Sequence, residues 1–283
     1  MNKARRSLGD FTDQVFVVAH REDTSQLEET LRGQRFRVDV VRGPYTDEQV
    51  SWTAAMKCLV NHANVWRRVA AGSDEWAIVV EADFVPVVQL RDRVAPLPYV
   101  AAPHVGFAWL YSAGSTLYGF CSHGFPHGHG NTMVAYLVSR RVAAMLLDFF
   151  DREVSRNPDG KYSLWDTYLG VFLRRERGIV NYIPARPLGE HGGTPQREHS
   201  AHGVRSWHQA DILGGRLAFL PQYAGASRIK FCLYRLRAYG RGWARLVLLR
   251  FYDPRFINRD TARGRTAMAL FSVSRLFPVI RAS

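Results

Sequence analysis

The run Trp76-Ala77-Ile78-Val79-Val80, followed at once by Glu81-Ala82-Asp83, constrains the fold of this chain more than any other stretch. Five consecutive apolar residues suit a strand buried on both faces. Acids directly after such a strand place charge at its carboxyl end. The elements before it alternate. Gln14 to Ala19 reads as a buried strand, Thr24 to Gly33 as a helix, and Phe36 to Val41 as a second strand closed by Gly43-Pro44. Ser51 to Ala71 carries Ala55, Leu59, His62, Trp66 and Val69 at helical spacing. Strand, helix, strand, helix, strand is the order of a parallel α/β sheet. Such sheets bind ligands beyond the carboxyl ends of their strands. His20-Arg21 and Glu81-Ala82-Asp83 both fall at such ends.

Further along, strands are expected at Gly106 to Tyr111, Thr132 to Ser139 and Ile179 to Ile183, and helices at Arg140 to Asp151 and Ser163 to Arg177. Gly114 to Gly130 reads as a Gly- and His-rich loop. Gly189-Glu190-His191-Gly192-Gly193 reads as a second loop, with charged and imidazole groups among glycines. No internal repeat is visible. The chain divides into a body over residues 1–225 and a basic helical tail over 226–283.

The 283 residues are 47% hydrophobic, enough for a core that needs no disulfide support. Cys58, Cys121 and Cys232 are odd in number and far apart, as expected of reduced thiols in a cytosolic protein, and none stands beside an obvious His partner. The net charge is +13, yet the tail alone has thirteen Lys and Arg against Asp253 and Asp260. The body is therefore close to neutral, which argues against a nucleic-acid-binding face on it. The tail mixes Arg235, Arg237, Arg241, Arg245 and Arg250 with Leu233, Leu236, Tyr239, Trp243, Leu246, Val247 and Phe251. That mixture reads as a basic amphipathic helix for an anionic membrane surface. The alternative is a helix with its apolar side on the body and its arginines outward. No stretch approaches the ~18 uninterrupted apolar residues of a spanning helix, and the basic N-terminus lacks the apolar run of a signal peptide. The expected location is cytoplasmic, peripheral on the inner face of the plasma membrane.

Several side chains are candidates for chemistry. Glu81 and Asp83, two apart at a strand end, point to one side and offer oxygen ligands for Mg²⁺ or Mn²⁺. Such a cation neutralises a diphosphate leaving group. The alternative is an exposed acidic turn. Lys57 is placed to reach a donor, whereas His62 reads as a hydrogen-bonded core histidine. Asp166, between Trp165 and Thr167 with Tyr168 nearby, is a candidate general base for an acceptor hydroxyl; otherwise it is an aspartate stabilised by a helix N-terminus. His191 among glycines suits a metal or phosphate site, since glycines let backbone come close. His123, His127 and His129 raise the possibility of zinc, but without a fourth ligand, acceptor contact or solvent exposure is the better reading.

Gln14 to Ala19, Lys57-Cys58-Leu59-Val60-Asn61-His62-Ala63-Asn64-Val65-Trp66 and Ala77-Ile78-Val79-Val80-Glu81-Ala82-Asp83-Phe84 resemble glycosyltransferase family 25, enzymes of bacterial lipopolysaccharide and related glycan assembly. So does Asn131-Thr132-Met133-Val134-Ala135-Tyr136-Leu137-Val138-Ser139, followed by an alanine-containing helix and by Leu164-Trp165-Asp166-Thr167-Tyr168-Leu169. The resemblance spans roughly residues 14–195. Three positions depart from it: Ala82 replaces the middle acid of a Glu-Asp-Asp triplet, Asn61 replaces a serine, and Ala19-His20 replaces Asn-Leu. It implies a GT-A fold (a Rossmann-like mixed sheet with helices on both faces) and a nucleotide-sugar donor, UDP-linked. It also implies Mn²⁺ or Mg²⁺, a glycan or glycolipid acceptor, and inversion at the anomeric carbon. His20, Arg21, Lys57, Glu81 and Asp83 would then bind donor, Glu81, Asp83 and His191 metal, with Asp166 as base. Two rivals stand beside this reading: a metal-dependent hydrolase or nuclease using the same acids, and a non-catalytic protein on a transferase scaffold.

Overall fold

The computed structural model describes residues 5–114, 116–130, 132–193, 208–251 and 262–277. Ten strands are β1 (Gln14–Val18), β2 (Arg37–Val41), β3 (Trp76–Glu81), β4 (Phe84–Pro86), β5 (Phe107–Trp109), β6 (Thr116–Phe120), β7 (Pro126–His129), β8 (Ala135–Ser139), β9 (Asn181–Tyr182) and β10 (Gly189–His191). The helices are α1 (Leu8–Phe11), α2 (Ser25–Gly33), α3 (Asp47–Val50), α4 (Ala54–Ala71), α5 (Arg140–Arg156), α6 (Trp165–Glu176), α7 (Arg228–Val247) and α8 (Ala262–Leu276).

Eight strands form one mixed sheet in the order β2-β1-β3-β8-β5-β9-β7-β6. The expected parallel unit is its first third: β1 pairs in parallel with both β2 and β3. β8 then runs antiparallel to β3 and β5, while β5 and β9 are again parallel. One core lies between the sheet and α4, α5 and α6, around Trp66, Trp109, Tyr136 and Phe149. A second lies on the opposite face, around Leu27, Leu31, Val80, Phe84 and Tyr111. Covering both faces explains why β1 and β8 are buried at every position. The fold class expected from the sequence is therefore the one observed.

The differences are local. The Gly- and His-rich stretch is a hairpin, β6 paired antiparallel with β7, rather than a loop. Its glycines fit the pairing: a Cβ on Gly128 would lie 2.6 Å from the Thr116 carbonyl oxygen and 2.7 Å from the Ile183 side chain. The helix expected from Ser51 starts instead at Ala54. Before it, α3 opens on a Thr46–Gln49 capping box, and the Thr53 N–H and hydroxyl bond the Gly160 carbonyl at 3.0 and 2.9 Å.

Four tail arginines, Arg235, Arg241, Arg245 and Arg275, turn inward, opposite to the alternative that packs apolar side chains on the body. Arg235 Nη1 donates to Glu190 Oε2 at 2.5 Å and to the Ala210 carbonyl at 2.7 Å. Arg241 donates to the Gln209 carbonyl. Arg275 Nη2 reaches Asp211 Oδ1 at 2.7 Å, and neither side chain of that pair is exposed. Arg245 Nη1 stands 3.9 Å from the other Asp211 oxygen. Tail residues 252–261, with Asp253 and Asp260, and 278–283 lie outside the described residues. No helix among the described residues is long and apolar enough to cross a membrane.

Removing one partner of a buried ion pair strands the other charge without solvent. Asp211→Ala should therefore cost about 3–5 kcal/mol in urea unfolding, detected as loss of folded signal at lower denaturant. An unchanged midpoint would show that the tail is not anchored through Asp211.

Candidate functional site

β3 leaves the sheet at Glu81, the chain turns at Ala82-Asp83, and it runs on as β4. Ala82 donates its N–H to the Val18 carbonyl at 2.9 Å, fixing the turn against the end of β1. β4 pairs antiparallel with β10, placing His191 opposite Phe84, the residue after Asp83. His191 Nε2 consequently sits 2.7 Å from Asp83 Oδ2. The loop closes with the Gly192 N–H on the Asp83 carbonyl at 2.8 Å. A Cβ on Gly193 would come within 2.3 Å of Asp83 Oδ2, so the carboxylate takes the space a side chain would need.

Burial opposes charge on both partners, and their mutual attraction overcomes it. Asp83 is held below the usual carboxylate range by His191, and His191 is raised to about 9 by Asp83, with Glu81 and Glu190 adding to it. A carboxylate oxygen from each of Glu81 and Asp83 and a ring nitrogen of His191 lie within 4.8 Å of one another. Asp83 Oδ1 and His191 Nδ1 are buried without a hydrogen-bond partner. The unpartnered Asp83 Oδ1, with the Glu81 carboxylate, offers oxygen ligands of the kind a hard divalent cation takes, and His191 adds a nitrogen on losing its proton.

Glu81 is held from behind. Its Oε1 stands 3.3 Å from His62 Nε2, and His62 Nδ1 stands 2.9 Å from the Tyr136 hydroxyl. Trp66 Nε1 donates to the same hydroxyl at 2.8 Å. One assignment satisfies every member in an uncharged ring: indole N–H to phenol oxygen, phenol O–H to Nδ1, and Nε2–H to Glu81. The expectation of a hydrogen-bonded core histidine thus agrees with these contacts. Cys58, one helical turn before His62, also faces Glu81, with Sγ 3.5 Å from Oε1. It therefore has the histidine neighbour that sequence reading did not see. Burial, reinforced by Glu81, pushes its thiol well above the usual range, the opposite of what a nucleophile needs.

Asp166 lies in the first turn of α6, with Oδ1 accepting the Thr167 N–H at 2.8 Å. Burial pushes its carboxyl up to about 7, and the Glu81 charge pushes the same way against that hydrogen bond. Asp166 and Glu81 therefore share one electrostatic neighbourhood. Trp165 beside it is buried, its ring 5.5 Å from that of His62, while Tyr168 is exposed. His20, past the end of β1, bonds the Tyr45 hydroxyl through Nδ1 at 3.0 Å, and Arg21 is exposed next to it. Asn61 clamps this rim, taking the Gly43 N–H at 2.9 Å and donating to the Ala19 carbonyl at 2.8 Å. Lys57 is half-buried and makes no ion pair with the acids among the described residues.

Glu190 differs from its neighbour. It is fully buried, bonded to Arg235 and to the Ala210 N–H at 2.7 Å, and burial raises its carboxyl to about 7. Sequence reading missed two groups beside His191: His208, whose ring centroid is 4.6 Å away, and the buried Tyr111 at 6.3 Å. His208 lies past the last glycine of the loop, so no local pattern signals it. His127 and His129 face the Tyr118 ring of the hairpin and His123 is half-buried beside Ser122; among the described residues the three form no ligand set. A cavity of about 310 Å³ lined by Tyr118, His127 and Arg174 includes none of the carboxylates described above.

No protein-family model matches the chain, and no curated protein matches it. Among solved structures, it is similar to a glycosyltransferase involved in the glycosylation of the major capsid of PBCV-1. The alignment covers 60% of this chain and 80% of that one, at 8% identity and a TM-score of 0.39.

The Asp166 carboxyl sits above its unfolded value near 3.8, so the native state binds the extra proton between the two values. Its contribution to stability is therefore lost as pH rises from about 4 through about 7. Asp166→Asn should flatten that decline in a pH series of thermal melts without Mn²⁺. A parallel fall in parent and variant would place the Asp166 carboxyl in an ordinary, solvated setting.

Proposed function

We propose that this protein is a metal-dependent glycosyltransferase. It would move a hexose from a UDP-linked donor to a hydroxyl of a glycan or glycolipid, with inversion. The observation that carries the reading is the convergence of Glu81, Asp83 and His191 at the carboxyl end of β3, with the Asp166 carboxyl in the same electrostatic neighbourhood. The choice of donor and the stereochemistry rest only on the resemblance of short motifs to glycosyltransferase family 25, which no family model matches.

Glu81, Asp83 and His191 would hold Mn²⁺ or Mg²⁺. The cation supplies charge to offset the diphosphate. His62 fixes the Glu81 carboxylate in place, and the Gly192-Gly193 turn fixes Asp83. His20 and Arg21, past the end of β1, would meet the nucleotide, since such sheets bind ligands beyond the carboxyl ends of their strands. Asp166 takes the proton of the acceptor hydroxyl as its oxygen bonds to the anomeric carbon. The bond from that carbon to the donor phosphate breaks, and UDP leaves with the electron pair. A base with a carboxyl near 7 suits proton transfer near neutral pH.

Two variants separate donor binding from chemistry. Asp166→Asn should bind UDP with Mn²⁺ like the parent in calorimetry, yet transfer sugar roughly 10²–10⁴-fold more slowly. Asp83→Asn should lose the Mn²⁺-dependent part of UDP binding while melting as a folded protein. UDP binding by the parent that ignores Mn²⁺ would sink the metal-dependent reading. Unchanged turnover in Asp166→Asn would remove the base.

A further inference from the structure

The outer face of α7 is apolar. At 100° per residue, Ile229, Leu233, Leu236, Gly240 and Val247 fall within a sector of about 60°. Their exposure is high: 77% for Ile229, 63% for Leu233, 70% for Leu236 and 76% for Val247. Leu248 and Leu249 continue the exposed surface past the helix end. Arg235, Arg241 and Arg245, which bond to the body, project from the opposite side of the same helix. Leucines outward and arginines inward reverse the usual surface helix. A contiguous apolar face of this kind on a water-soluble surface marks an interaction site.

The charges beside the stripe decide what it meets. Arg228, Lys230, Arg237 and Arg250 are exposed on or just past α7, and no acid occurs from Ile212 to Phe251. Phe277, half exposed, sets its ring edge-on to Trp243 at 5.4 Å, adding an aromatic rim. A second copy laid on this face would bring the same exposed cations together. A partner with both an apolar layer and anionic groups satisfies the two halves at once.

We infer that α7 is an interfacial docking helix for an anionic lipid bilayer, its Ile229–Val247 stripe in the acyl boundary and Arg228, Lys230 and Arg237 on the phosphates. The helix lies parallel to the membrane plane. Its inner side is bonded through Arg235 to Glu190, the neighbour of His191, so docking holds the carboxylate site close to the lipid surface. The inference rests on the helix alone and does not depend on the reaction assigned to the site.

Flotation of the full chain with vesicles tests it. Vesicles of phosphatidylglycerol and phosphatidylcholine should retain the protein at low salt, and vesicles of phosphatidylcholine alone should retain far less. The double variant Leu233→Ser, Leu236→Ser should bind the anionic vesicles about tenfold or more weakly, because two well-exposed leucines no longer enter the boundary. Lys230→Gln with Arg237→Gln should weaken binding severalfold and reduce its salt dependence. All three proteins should melt alike, since none of these side chains is buried. Failure of the parent to float with anionic vesicles at low salt would overturn the inference. So would serine variants that bind like the parent, or a stripe-dependent dimer in sedimentation velocity.

Discussion

The arrangement of the site depends on one constraint: several acids share a small, partly desolvated volume at the carboxyl end of β3. Carboxylates this close repel and resist ionising unless something answers their charge. The chain answers each differently. Asp83 has an imidazolium, supplied by a three-residue strand whose register sets His191 opposite Phe84. Glu81 has a hydrogen-bond chain through His62 and Tyr136 to Trp66. Asp166 has only backbone and Thr167 hydrogen bonds, so its proton is held more tightly than in an ordinary aspartate. The three acids differ in environment more than in type, and the proposed division between ligand and base rests on that difference.

The same logic governs the tail. A net charge of +13 on a chain of this length invites a surface explanation. Yet Arg235, Arg241, Arg245 and Arg275 are directed at Glu190, Asp211 and the carbonyls of Gln209 and Ala210. Part of the basic character is thus structural, closing a buried acidic seam behind the His191 strand. Because the arginines are drawn inward, the apolar residues at the complementary helical positions are left outward. The exposed stripe on α7 follows from how the acids of the body are neutralised.

The parallel unit was legible because its signals are long. β1 and β3 read as unbroken apolar runs, and α4 has helical spacing over several turns. Glu81, Asp83, Asp166 and His191 were legible as candidates because each sits at a strand end, a helix start or a glycine-bounded turn. The pairing of β4 with β10 was not, since three residues carry no periodicity and the partners lie far apart in sequence. The β6–β7 hairpin was hidden by glycines and histidines that ordinarily signal loops. The orientation of α7 was hidden as well, because a helix with both Arg and Leu faces has two ways to sit. The body's buried acids, Glu190 and Asp211, choose between them.

Glu190 shows how these levels join. In sequence it is a charged residue beside a promising histidine, and chemistry would claim both. In the fold, adjacent residues of a strand point to opposite sides. His191 faces Asp83, so Glu190 faces away, into the seam where Arg235 and the Ala210 N–H meet it. One strand therefore ties a candidate metal ligand to the helix that carries the exposed stripe.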